Sequence, residues 1–267
     1  MRSTLALVKQ HLVEQRLSTV IWMVVLSLLS YMVVTMAPAI TSDNFLFELI
    51  KNTPEHLSRL YGNLFAYKYP VDAFLQFKWM LFIPILTTIF GILAAMGAVA
   101  RDIDNHTADF ALTLPITRYH LLLARFLAIA ISMAMLYFVS YIMLWLGLRI
   151  LDTPASLMNY AYFYTGMFFI TLTLAAFTLW LSVFVDEYTK AVRLGLVIGV
   201  SFWAFSLINR IAGGPLYLSR LSLFGWVETE PVIGRGIFPW GAVFVGLALT
   251  AGFLLLAVIS FKRKQIS

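Results

Sequence analysis

Cysteine is missing from all 267 positions of the chain, which excludes disulfides, thiol nucleophiles and thiolate metal sites. Helix packing alone must hold the fold together. Charge is scarce as well. Charged residues make up 12% of the chain and hydrophobic ones 61%, with a mean hydropathy of +0.87, whereas an ordinary globular domain is about one-quarter charged. That balance describes a protein that crosses the membrane many times.

Long stretches carry no charge at all. They lie between Arg16 and Asp43, Lys78 and Arg101, Arg125 and Arg149, Asp152 and Asp186, Arg193 and Arg210, and Arg235 and Lys262. A spanning helix needs roughly 20 apolar residues, so all but one of these runs qualify directly. The exception, the shorter run after Arg193, can span if Arg193 and Arg210 extend their charges to the two interfaces. The first run follows Arg2, Lys9 and Arg16 as a secretory signal would, but it exceeds the roughly 7 to 15 residues of a signal's apolar core, which predicts a retained anchor.

No Asp, Glu, Lys, Arg or His stands inside these six runs. Intramembrane ionisable groups mark proton relays and ion-coupling sites, so their absence argues against a proton-coupled carrier. No H-E-x-x-H or G-x-S-x-G sequence is present, which argues equally against an intramembrane hydrolase. Nor is there a G-x-x-x-x-G-K-[ST] phosphate loop, so energy for active transport must come from another subunit. The net charge of +6 is unevenly placed. Segments 1–16, 101–125, 186–193 and 262–267 carry Lys and Arg at about twice the density of segments 41–78, 149–158 and 210–238. The positive-inside rule then puts both termini in the cytoplasm, and no basic, aromatic-studded soluble region suggests nucleic-acid binding.

Between the runs, several segments admit two readings. Residues 2–16 place Leu5, Val8 and Leu12 at helical spacing, which fits either an interfacial helix or an extension of the first span. Segment 41–78, before the second span, predicts one or two amphipathic outer helices, with Pro54 opening one of them. The last outer segment, residues 213–240, is rich in Gly, Pro and aromatics and predicts short broken helices against the membrane. Gly195 and Gly199 form a G-x-x-x-G that serves either self-association or intrachain packing. Thr165, Thr171, Thr173, Thr178, Ser182 and Asn209 either line a path or bond to their own helix backbones.

The polar island RDIDNHTADFALTLPITRYHLLLAR, residues 101–125, is the most distinctive feature. Thr107 can cap a short helix with Asp109 in its first turn, Phe110, Ala111 and Leu114 share one face, and Pro115 ends it. Thr117 is placed to cap the helix that follows. Local physics reads the island either as a rigid apolar peg or as a solvated turn.

These residues resemble the signature of type-2 ABC exporter permeases. Asp102 and Asp104 stand where that family usually has Glu, Thr107, Asp109, Leu114, Pro115, Thr117 and Arg118 match its further positions, and His106 departs from its usual Gly. TPEHL with Gly62, LSVFVDEYTKAVRLGL and YLSRLSLFGW are similar to other family segments. The resemblance implies an all-α membrane domain over residues 1–267, with six helices at about 17–40, 79–100, 125–148, 159–185, 193–211 and 238–261. It also implies an N-terminal interfacial helix, a cytoplasmic coupling helix between spans 2 and 3, and outer-face helical segments.

Functionally it implies the permease subunit of an ATP-driven exporter in the inner membrane of a prokaryote, with no catalytic, cofactor or metal residues of its own. Two ATPase subunits carrying ATP and Mg, and a second copy or a similar permease, would complete the complex. The ATPase would meet Asp102, Asp104, Thr107, Asp109, Phe110, Ala111, Leu114, Pro115 and Arg118, with Asp186 and Glu187 adding a smaller contact. The competing expectation is an ABC-like complex that does mechanical or sensing work on an outer-face partner without transport.

Overall fold

In lipid every backbone N–H and C=O must bond within the protein, so apolar runs of this length resolve as helices. The computed structural model describes residues 2–41, 68–104, 118–185 and 187–263, and among them there is no strand. The long helices are α1 (Arg2–Thr41), α2 (Pro70–Asp104), α3 (Arg118–Ile150), α4 (Leu157–Ser182) and α5 (Tyr188–Ile211). A one-turn α6 (Leu216–Ser219), a 3-10 helix (Leu223–Trp226) and a π turn (Glu230–Gly234) lead into α7 (Trp240–Arg263). Five helices are long and apolar enough to cross a membrane: α1, α3, α4, α5 and α7. In α2 the described apolar stretch is Phe82–Gly97. The amphipathic helices expected before the second span fall outside the described residues.

Two expectations change. Residues 2–16 are not a separate interfacial helix but the first turns of the 40-residue α1. No glycine or proline precedes Pro38, so nothing interrupts the hydrogen-bond ladder. At 1.5 Å per residue α1 is about 60 Å long, roughly twice the hydrocarbon thickness. Its start packs Leu7 and Val8 on Ala124 and Ala128 of α3, while Leu5 is exposed. The short run after Arg193 gains length at its start, where Lys190 and Arg193 join the 24-residue α5.

The most deeply buried of the five spans is α4, which packs against α2, α3 and α7. Its Phe163, Met167, Ile170 and Leu174 are buried in one core with Ile83 and Phe90 of α2 and Ile129 and Met133 of α3. Hydroxyls bridge these helices. Tyr137 of α3 bonds Thr87 of α2 at 2.9 Å and Thr171 of α4 at 3.0 Å, and Ser140 of α3 bonds Ser30 of α1 at 3.0 Å and Tyr164 of α4 at 3.2 Å. Of the polar residues weighed as path-lining, Thr165, Thr171, Thr173, Thr178 and Ser182 all donate to carbonyls of their own helix, at 2.7 to 2.9 Å.

Gly195 and Gly199 lie at the contact of α5 with α2. A Cβ on Gly195 would come within 2.7 Å of Ile92 Cγ2 and 2.8 Å of Met96 Cε, and one on Gly199 within 2.5 Å of Ile92 Cδ1. Both serve intrachain approach of two helices at these positions. Replacing Gly195 with Leu is expected to cost about 1 to 3 kcal/mol through overpacking, lowering the thermal midpoint of the purified protein in detergent. Trimming the opposing side chain, Ile92→Ala, should restore part of that loss in the double variant. An unchanged midpoint in Gly195→Leu would exclude the close contact.

Candidate functional site

One end of the bundle gathers the elements that the sequence marked. There α2 carries its helix through Asp102 to Asp104, and α3 begins at Arg118. Asp109, Phe110, Ala111, Leu114 and Pro115, with the predicted caps Thr107 and Thr117, lie outside the described residues, as does Asp186. Positions 105–117 separate the described parts of α2 and α3. Asp102 and Asp104 fall within the last described residues of α2, and Arg118 is the first described residue of α3.

The second turn at this end joins α4 to α5. Glu187 is the N-cap residue of α5 with extended backbone, yet its side chain caps nothing and pairs with Lys190 at 2.7 Å. Phe184 is exposed beside Trp180, with ring centroids 5.6 Å apart. Ile92 and Met96 of α2 form a buried cluster with Ala191 of α5, against which Tyr188 packs. The two turns therefore hang from helices that are in direct contact. A cavity of about 260 Å³ opens beside them between α1, α2, α3 and α5. No group of three His, Cys, Asp or Glu suited to a metal stands among the described residues.

Residues 9–224 match the family model described as ABC-2 family transporter protein. The chain belongs to that family. The match takes in α1 through the 3-10 helix and ends before α7. A search of curated proteins finds none that matches the chain. As an ABC-2 permease this is a multi-pass membrane component of transport and not itself catalytic, and such permeases generally work with ABC ATPase subunits.

At the opposite end the ABC-2 permease holds a buried carboxyl group outside the charge-free runs. Asp72, in the first turn of α2, has no exposed surface. Its Oδ1 accepts from the Ser156 N–H at 3.2 Å and the Tyr160 hydroxyl at 3.1 Å, tying α2 to the start of α4. Asp72 precedes the charge-free run, so it counted as loop. Only the tertiary fold brings α4 over it. Burial raises its pKa above the ordinary 3.8, against the opposing pull of Ser156, Tyr160 and the Lys68 charge. The folded chain thus binds this proton more tightly than the unfolded chain, and stability falls as pH rises from 3.8 through the raised value.

Asp72→Asn keeps an acceptor for Ser156 and Tyr160 while removing the titration. Thermal unfolding in detergent between about pH 4 and about pH 8 should show a shallower loss of stability with rising pH in the variant than in the parent. Parallel curves for the two would contradict the assignment.

Proposed function

We propose that this chain is the permease subunit of an ATP-driven exporter, working with two ABC ATPase subunits that carry ATP and Mg. A second copy of the chain, or a similar permease, completes the pathway. The whole of residues 1–267 acts as one domain of six crossings, α2 supplying the sixth. Both termini lie in the cytoplasm of a prokaryote, and the chain sits in its inner membrane. Residues 105–117 form a coupling helix seated in a groove of the ATPase. Phe110, Ala111 and Leu114 are its apolar anchors, Thr107 its cap and Pro115 its stop, while Asp102, Asp104, Asp109 and Arg118 orient it. Asp186 and Glu187 add the smaller contact at the second turn.

Family membership supports the ATPase partner, and the motif residues of the island support the location of the contact. The mechanism follows from rigidity. When two ATPase subunits close on ATP, two pegs move, and helices of 35 and 33 residues on either side of each peg carry that movement into the membrane.

The test begins with copurification of a P-loop ATPase from native membranes in mild detergent. With that partner in hand, Phe110→Asp is expected to abolish transport-coupled ATP hydrolysis in sealed vesicles while the melting of the permease alone stays unchanged. Undiminished ATPase binding and turnover in the variant would sink the coupling role.

A further inference from the structure

Between α3 and α4 a second space, of about 240 Å³, opens on the flank of the bundle. Ala134, Phe138 and Tyr141 line it from α3, and Ala161, Thr165 and Phe168 from α4. On each helix these positions share one face, so the space is a trough about two turns, roughly 10 Å, long. Its hydroxyls are already bonded. Tyr137 of its floor bonds Thr87 and Thr171, Tyr164 bonds Ser140, and Tyr141 donates to the Leu157 carbonyl at 3.3 Å. Thr165 donates to the Ala161 carbonyl at 2.8 Å. Water would find too few partners there, and a void would forfeit dispersion contacts, so the trough suits hydrocarbon. A helix about 10 Å across would need several times this volume over the same length, whereas a single acyl chain would not.

The lining face of α3 does not stop at the trough. Trp145 and Arg149 extend the line of Ala134, Phe138 and Tyr141 in steps of one turn, and both are exposed. The Arg149 guanidinium lies 5.9 Å from the Trp145 ring centroid, and among the described residues no carboxylate pairs with it. It stands roughly 12 Å beyond Tyr141, in the last turn of α3, where the helix dipole favours a cation. Trp and Arg at the end of a spanning helix mark the level of lipid headgroups. The face therefore leads from a cation at the interface down into an apolar trough.

We infer that this face seats one anionic phospholipid, its phosphate at Arg149 and one acyl chain laid over Trp145 into the trough. A chain gains no hydrophobic energy by leaving bulk lipid for protein, so the trough fixes where the chain lies and the guanidinium supplies the preference. A zwitterionic choline headgroup brings its own cation to the phosphate and gains less from Arg149. The seat needs neither an ATPase nor a choice of leaflet.

The test uses the full chain in detergent with a phosphatidylglycerol that carries a photoactivatable diazirine at mid-chain, the labelled residues being read by peptide mass spectrometry. Label should concentrate around Phe138, Tyr141 and Thr165. Unlabelled phosphatidylglycerol should compete about fivefold better than phosphatidylcholine of the same chains, the worth of one cation at a lipid surface. Arg149→Gln should erase that difference while label stays in the trough. Ala134→Trp, at an exposed position, should drive label out of the trough with an unchanged melting midpoint. Label spread equally over the exposed α1 stripe through Leu28 and Met32 would reduce the site to bulk lipid and overturn it. Equal competition by the two lipids in the parent, or a preference that survives Arg149→Gln, would overturn the headgroup assignment. A trough that takes no label in a chain that is dimeric in the same detergent would assign the face to a second copy and overturn the lipid seat. Phe110→Asp leaves all these readouts unchanged, so this inference and the exporter reading fail separately.

Discussion

A hydroxyl inside a bilayer has no water to bond, and this constraint organises the bundle. The Tyr137 hydroxyl of α3 reaches Thr87 of α2 and Thr171 of α4, while Ser140, one turn on, reaches Ser30 of α1 and Tyr164 of α4. On the far side of α4, Thr173 bonds Thr250 of α7 at 3.1 Å and the Gly246 carbonyl at 3.0 Å. Each interhelical bond contributes only about 0.6 kcal/mol, because the separated helices would find other partners in the membrane. Their effect is on register. A slide of α4 by one residue along its axis would leave several buried hydroxyls facing hydrocarbon at once, so the set selects one packing where apolar contacts alone would tolerate several.

The same constraint explains what a linear reading recovers. Counting charge-free residues finds where the chain can enter lipid, because that question is answered by each residue singly. Which neighbour a residue meets is decided by the fold. Leu5 and Leu7 differ little in sequence context, yet Leu7 packs on Ala124 and Ala128 of α3 and Leu5 faces out. Gly195 and Gly199 announce a close approach, but only the facing Ile92 shows that the approaching helix is α2 of the same chain. Asp72 was invisible for a related reason. An acid shortly before the charge-free run reads as loop until Tyr160, 88 positions away, covers it. At the other end Asp102, Asp104, Arg118 and Glu187 were readable as charges bordering spans.

These contacts divide α2 into parts with different freedom. Its N-terminal end is tied to α4 by the buried carboxyl group of Asp72. Its C-terminal half is held to α5 where Ile92 and Met96 meet Gly195, in a cluster that continues to Ala191 and Tyr188. Pro84 lies between the two attachments, and a proline inside a helix removes a backbone bond and bends it. On the proposed mechanism, a push delivered at the C-terminal end of α2 passes directly to α5, because glycine lets Ile92 and Met96 press against that helix. The Asp72 tie lies on the other side of Pro84, toward the start of the same helix.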